Sequence, residues 1–147
     1  MESQLIIDNQ TVAAKSGATF TRNHPHSGEV VTSAAAGGVE DALAAVNSAQ
    51  TAFLSWRNSA PSERRRLLLK AADVLESKTP QFIDVMAAEV GAAALWAGFN
   101  VHLAANLFRE AAGMVTQIQG ETIPTDKPGA LSMTVRQPVG VVLSIVP

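Results

Sequence analysis

Val139-Gly140-Val141-Val142-Leu143-Ser144-Ile145-Val146-Pro147 is the most apolar run in a chain of 147 residues. A continuous Val/Ile/Leu run reads as a strand buried on both faces, of the kind that sits in a parallel sheet. A second extended run, Leu131 to Gln137, leads into it, and Pro138 divides the two at a place that suits a strand start or an edge. No later strand is present to pair with the run. An apolar edge left open invites association, so the expectation is a piece of a longer α/β protein whose sheet continues past Pro147.

Working back from this run, the sequence turns helical. A long helix is expected from about Ala92 to Gln119, with Leu95, Phe99, Leu103, Leu107, Ala111, Val115 and Ile118 as its apolar stripe and Gly120 as its stop. A shorter helix precedes it, opened by Thr79-Pro80, carrying Phe82, Ile83, Val85 and Met86, and ending near Gly91. Before that, Ser59 is a candidate cap and Pro61 a first-turn residue for a helix with Leu67, Leu68, Ala71, Ala72 and Leu75 inward. The first helix starts at Val39 and is expected to bury Val39, Leu43, Val46, Phe53 and Trp56, with Glu40 and Asp41 in the turn where the helix dipole favours acid. Upstream, apolar runs flank Asp8-Asn9-Gln10 as in a small hairpin. A loop punctuated by Pro25 and Gly28 leads to a strand at Val30.

Composition narrows the chemistry. A net charge of −2 gives no reason to expect nucleic acid or an acidic membrane surface as partner. No stretch approaches the roughly 18 apolar residues of a membrane span. The N-terminus lacks the basic flank and apolar core of a signal peptide, so the cytoplasm is the expected compartment. The chain has no cysteine, which removes disulfides, thiolate metal sites and a cysteine nucleophile from these residues.

Several clusters could carry chemistry. Gly37-Gly38 is too short and lacks the preceding buried strand and the following glycine of a phosphate loop, and it reads as a turn. His24 and His26 have no third ligand at metal spacing, so a solvated loop is the simpler reading. Glu63 is followed by Arg64, Arg65 and Arg66, which point in different directions around a helix. That favours a solvated face with one or two ion pairs over an anion site. His102 has no acid-base partner nearby in sequence, Glu110 being eight residues on. Trp96 and Asn100 share one face of the long helix, with Phe99 beside them. The two rings and the amide suit a pocket for an aromatic ligand; they equally suit ordinary helix packing. Ser144 to Pro147 lie at the carboxyl end of the expected terminal strand, where ligands bind in open α/β sheets. A core strand entering a plain loop would look the same.

At these residues the chain resembles the NAD(P)-dependent aldehyde dehydrogenases. Arg136 to Pro147 is similar to that family's Arg-x-Pro-Val-Gly-Val-x-x-x-Ile-x-Pro, which continues there into Trp-Asn. Asn23 to Glu29 resembles Asn-Pro-x-Thr-Gly-Glu with a histidine added before the proline. Ala52-Phe53 with Trp56, the Ser62-Glu63-Arg64 helix start, and Gly120 to Pro124 match as well. A closer likeness, carried by residues 61–70, 94–102 and 116–126, is to members that oxidise salicylaldehyde-like aromatic aldehydes in aromatic-hydrocarbon breakdown. The chain departs from many members in having Ala92, not Lys, after Gly91.

The resemblance implies the N-terminal helical part of a cofactor domain (residues 1–120), a strand segment of an oligomerisation domain (121–137), and the first strand of the cofactor core (138–147), with the parallel sheet incomplete. It implies NAD, or else NADP, as cofactor, with Ile145, Val146 and Pro147 lining its site. Trp96, and with it Asn100, would contact a small aromatic aldehyde. The full-length protein would be a homo-oligomer. In the family a cysteine thiolate attacks the aldehyde, hydride passes to the nicotinamide, a glutamate activates water, and an asparagine stabilises the oxyanion. None of these catalytic groups falls within the matching residues, so the chain alone is expected to be inactive. The alternative from another class is a self-contained helical binding or assembly module without catalytic activity.

Overall fold

The structure, a computed structural model, describes residues 1–146. It is a mixed α/β arrangement of four helices and small sheets. Strands β1 (Glu2–Ser3), β4 (Thr19–Asn23) and β5 (Val30–Ala35) form one sheet in the order β1-β5-β4, with β1 parallel and β4 antiparallel to β5. The expected hairpin is present: β2 (Leu5–Ile7) pairs with β3 (Gln10–Val12). Asp8 and Asn9 make its two-residue turn, both at positive φ (55° and 57°). That is the geometry a tight hairpin demands, and Asp and Asn are among the residues that tolerate it.

The helices are α1 (Val39–Trp56), α2 (Pro61–Ser77), α3 (Thr79–Val90) and α4 (Ala94–Met114). A short 3-10 turn, Val115–Gln117, extends α4, so the long helix ends earlier than the periodicity suggested. Gly91 closes α3 in the left-handed conformation (φ 67°), the usual way for glycine to stop a helix. The expected cap of α2 moves by one residue, while α3 opens at Thr79 as expected. Ala60 caps α2, with Pro61 in the first turn, while the buried Ser59 hydroxyl has no partner. Lys78 serves as C-cap of α2 and N-cap of α3, and the Thr79 hydroxyl donates to the Glu76 carbonyl.

The core is a seam of small side chains where α4 lies on α2 and α3. Ala72 from α2 and Ala97, Val101, Ala105 and Ala112 from α4 are buried there. The sheet joins this body through Glu89 of α3, which accepts a 2.6 Å hydrogen bond from the buried Thr32 of β5 and faces Arg22 of β4. Asp41 ties α1 to the hairpin side: its carboxylate accepts from the backbone N–H of Gly38 (2.8 Å) and of Lys15 (3.1 Å). These contacts, that of Gly38 first, hold its carboxyl below the usual aspartate range.

Two expectations change. The apolar stripes predicted for α1 and α4 point mostly outward; Val39, Leu43, Leu95, Phe99, Leu103 and Leu107 are all exposed. The buried face of α4 is the one with small residues, because only small side chains let two helix backbones approach closely. Second, the terminal run forms no strand: residues 134–146 carry no regular element. A strand exists only with a hydrogen-bonded neighbour, and among the described residues none pairs with this run. The remaining ladder is β6 (Thr122–Ile123) with β7 (Ser132–Met133), antiparallel. The connection is tight at Gly120, where an added Cβ would collide with the Thr134 carbonyl.

Candidate functional site

The N-terminal end of α4 presents the main aromatic feature. Trp96 and Phe99 stack with ring centroids 5.5 Å apart and planes 25° from parallel. With Ala93 and Leu95 they line an open recess of about 470 Å³, all four lining side chains being apolar. Trp96 is 59% and Phe99 51% exposed, so the rings present faces to whatever enters. The helix turn accounts for the pairing: residues three apart lie on adjacent parts of one face.

Asn100 shares the helix face but does not line the recess. Its side-chain amide donates 2.8 Å back to the Trp96 carbonyl, one turn earlier. That bond uses an Nδ2 hydrogen and leaves Oδ1 as the group able to meet a ligand donor. The structure thus joins Trp96 to Phe99 and Leu95 more closely than to Asn100. Leu95 was legible only as part of a packing stripe, since its outward direction depends on which helix face α2 and α3 occupy.

At the other end of the chain, Ile145 and Val146 are 88% and 76% exposed, and Pro147 lies outside the described residues. Aliphatic side chains can wall a flat ring but supply no donor to a pyrophosphate.

The remaining clusters resolve into structure. Arg64 donates to the Ser59 carbonyl, Arg65 to the Ala112 carbonyl at the end of α4, and Arg66 to Glu63 at 2.6 and 2.8 Å. Three neighbouring arginines therefore serve three separate contacts, and no shared anion site forms. His24 Nδ1 accepts from the backbone N–H groups of His26 and Ser27, which makes it a turn lock. Among the described residues, no group of three or more His, Asp or Glu side chains is placed to hold a metal. His102 does find a carboxylate, Glu76 of α2 at 3.1 Å, and Asn106 lies 3.0 Å from its other nitrogen. Glu76 is also gripped by Arg109 through two bonds of 3.0 and 2.7 Å, while Arg109 reaches Asp73 at 3.0 Å. These contacts span up to 36 positions in sequence, which is why helical spacing gave no sign of them.

Comparison with known proteins gives a consistent result. The model described as Aldehyde dehydrogenase family matches residues 11–147. A salicylaldehyde dehydrogenase from Pseudomonas putida is 62% identical over 147 residues, all of this chain and 30% of that protein. A vanillin dehydrogenase from Pseudomonas fluorescens is 52% identical over the same span, again 30% of its length. Among solved structures, a salicylaldehyde dehydrogenase from Pseudomonas putida, complexed with salicylaldehyde, superposes with a TM-score of 0.93 at 61% identity, covering 95% of this chain and 29% of that one. The chain therefore spans under a third of the length of the relatives it matches.

Proposed function

This chain belongs to the aldehyde dehydrogenase family, and from that premise we propose that it is the N-terminal portion of an enzyme oxidising a salicylaldehyde-like aromatic aldehyde to its carboxylate. The observation that carries the reading is the whole-length likeness to salicylaldehyde dehydrogenase. The geometry agrees with it: a stacked Trp96–Phe99 pair opens an apolar recess suited to a flat ring. In this reading Trp96 packs on the ring of the aldehyde. Asn100, through its free oxygen, can accept from a hydroxyl on that ring.

A nicotinamide cofactor, NAD or NADP, takes up the electrons withdrawn from the aldehyde when bound. The side chains of Ile145, Val146 and Pro147 would give it an apolar wall. The cysteine nucleophile that the resemblance implies would lie in another part of the parent, because this chain has no cysteine. The parent would act in the cytoplasm as a homo-oligomer, in the breakdown of aromatic hydrocarbons. No helix among the described residues is long and apolar enough to cross a membrane.

The test is kinetic. In the full-length parent, Trp96→Ala removes an aromatic contact worth about 0.5–1.5 kcal/mol. The KM for salicylaldehyde should rise roughly two- to twelvefold with kcat little altered, the signature of lost uniform binding. The KM for acetaldehyde should hardly move. An unaltered KM for salicylaldehyde counts against the recess as the ring site. A parent that forms no NADH or NADPH from any aromatic aldehyde sinks the activity itself.

A further inference from the structure

The turn between β4 and β5 is closed on itself by hydrogen bonds. The His24 backbone N–H donates to the Glu29 carbonyl at 2.8 Å, and the Gly28 N–H donates to the His24 carbonyl at 2.9 Å. The His24 side chain folds back into this loop, where its Nδ1 accepts from the backbone N–H groups of His26 and Ser27, each at 3.2 Å. A ring nitrogen that accepts carries no proton, so the proton of the neutral ring sits on Nε2. One side chain thus satisfies two loop donors, much as an asparagine does in an Asx turn. This fixed loop touches the corner between α3 and α4. A Cβ added at Gly91 would lie 3.0 Å from Cγ of Pro25, so the proline ring rests where a glycine leaves it room. Gly91 is the left-handed C-cap of α3, and Ala93 is the N-cap of α4. Ala93 lines the aromatic recess together with Leu95 and Trp96 of the next turn. The same sheet holds the last turn of α3 a second time, through the 2.6 Å bond from Thr32 to Glu89.

We propose that His24 is a positioning residue for the aromatic recess. It locks the 24–29 turn, the turn seats Pro25 on Gly91, and Gly91 fixes where α4 begins and so where Trp96 presents its ring. This rests on the recess as the ring site and adds a determinant that does not touch the substrate. The first turn of α4 depends on such outside support. Its seam with α2 and α3 starts only at the buried Ala97, so Leu95 and Trp96 lie ahead of it, 87% and 59% exposed. The connection itself offers no anchor. Gly91, Ala92 and Ala93 have no side chain able to hydrogen bond, and Ala93 caps α4 without a side-chain bond. The Gly91 and Ala92 N–H groups both donate back to α3, to the Ala87 and Met86 carbonyls, and leave the start of α4 untied. A flat ring stacked on Trp96 feels a displacement of that turn because stacking depends on the mutual placement of the two planes. A small aliphatic aldehyde makes no such contact, so the effect of the turn is selective for aromatic substrates.

The experiment uses the full-length parent with three substitutions. His24→Ala removes the acceptor, and His24→Asn keeps one for the same turn. Pro25→Ala leaves the His24 hydrogen bonds in place and tests the contact with Gly91 by itself. The KM for salicylaldehyde should rise at least about twofold in His24→Ala and Pro25→Ala, and by no more than the roughly twelvefold that loss of the Trp96 ring can give. The kcat and the KM for acetaldehyde should hardly move, and His24→Asn should behave as the unaltered parent. Amide hydrogen exchange over residues 91–99 should run roughly two- to tenfold faster in His24→Ala and Pro25→Ala, the range that one hydrogen bond is worth, and should not change in His24→Asn. Unchanged KM and exchange in His24→Ala would overturn the inference. So would His24→Asn matching His24→Ala, because the accepting nitrogen would then not be what matters. A fall in kcat for aromatic and aliphatic aldehydes alike would also overturn it, as a general loss of structure. The two readings fail separately. If Trp96→Ala leaves the KM unaltered, the ring site falls while exchange at the corner still scores the turn. If exchange at the corner ignores His24→Ala and Pro25→Ala, the turn falls whatever Trp96→Ala does.

Discussion

Glu76 shows how a residue without a sequence signature organises the helical body. It takes two hydrogen bonds from Arg109 and faces His102, both on α4. The Arg109 hydrogen bonds first, then its charge and His102, hold the Glu76 carboxyl below its ordinary value of 4.5, against the opposing effect of partial burial. The Glu76 and Asp73 carboxylates in turn push the Arg109 guanidinium up. Because the folded carboxyl is the stronger acid, the unfolded chain takes up its proton first as pH falls. The stabilisation is therefore complete above the ordinary value and lost as pH drops through the depressed folded one. Glu76→Gln should lower the thermal midpoint at neutral pH, and its deficit against the unaltered protein should narrow as the pH is taken down below the ordinary carboxylate range. Melting curves across that range check it; a deficit that stays constant would show that the charge is not what binds α4. Elsewhere the residue scale was well legible. Asp8-Asn9 gave the hairpin because turn chemistry is local; the Arg64–Arg66 run, read as a solvated face with one or two ion pairs, keeps one such pair, Arg66 with Glu63, while Arg64 and Arg65 reach backbone carbonyls.

At the scale of elements, four helices were legible from period and punctuation, and their ends moved by a few residues at most, five in the case of α4. Their orientation was not. On α4 both faces are apolar, so the larger side chains drew the stripe while the small ones made the contact. Periodicity ranks faces by hydrophobicity, but close packing against a neighbour also depends on side-chain volume, which the stripe does not report. The seam makes a direct prediction. Ala105 is fully buried between helices, so Ala105→Leu has no room and should cost about 1–3 kcal/mol through overpacking. Urea unfolding should show a lower midpoint with an unchanged slope, since the surface exposed on unfolding stays the same. A midpoint that does not move would mean that the seam can open to admit a larger side chain.

The whole molecule divides into a part that is complete and a part that waits for neighbours. The β1-β5-β4 ladder, the hairpin and the α2–α4 seam find their pairing or packing partners among the described residues. The terminal run does not: its apolar composition anticipates a buried strand, yet strand structure depends on a pairing partner as much as on sequence. The family was legible because its motifs are strung along the chain in order. The candidate site was only half legible, since Trp96 with Phe99 follows from helix spacing whereas the Asn100 amide turns back onto its own helix. Chemistry divides in the same way. In the proposed reaction, covalent capture of the aldehyde takes a nucleophile and a donor set for the developing oxyanion. The chain has no thiol, and its aromatic recess is lined by four side chains without a polar atom apart from the indole N–H. The 147-residue chain, incubated with salicylaldehyde and NAD or NADP, should therefore give no increase in absorbance at the reduced-nicotinamide wavelength above a protein-free control. The full-length parent under the same conditions should. A steady signal from the purified short chain, surviving removal of any contaminating dehydrogenase by a second purification step, would show that these residues hold a nucleophile or a cofactor cradle of their own.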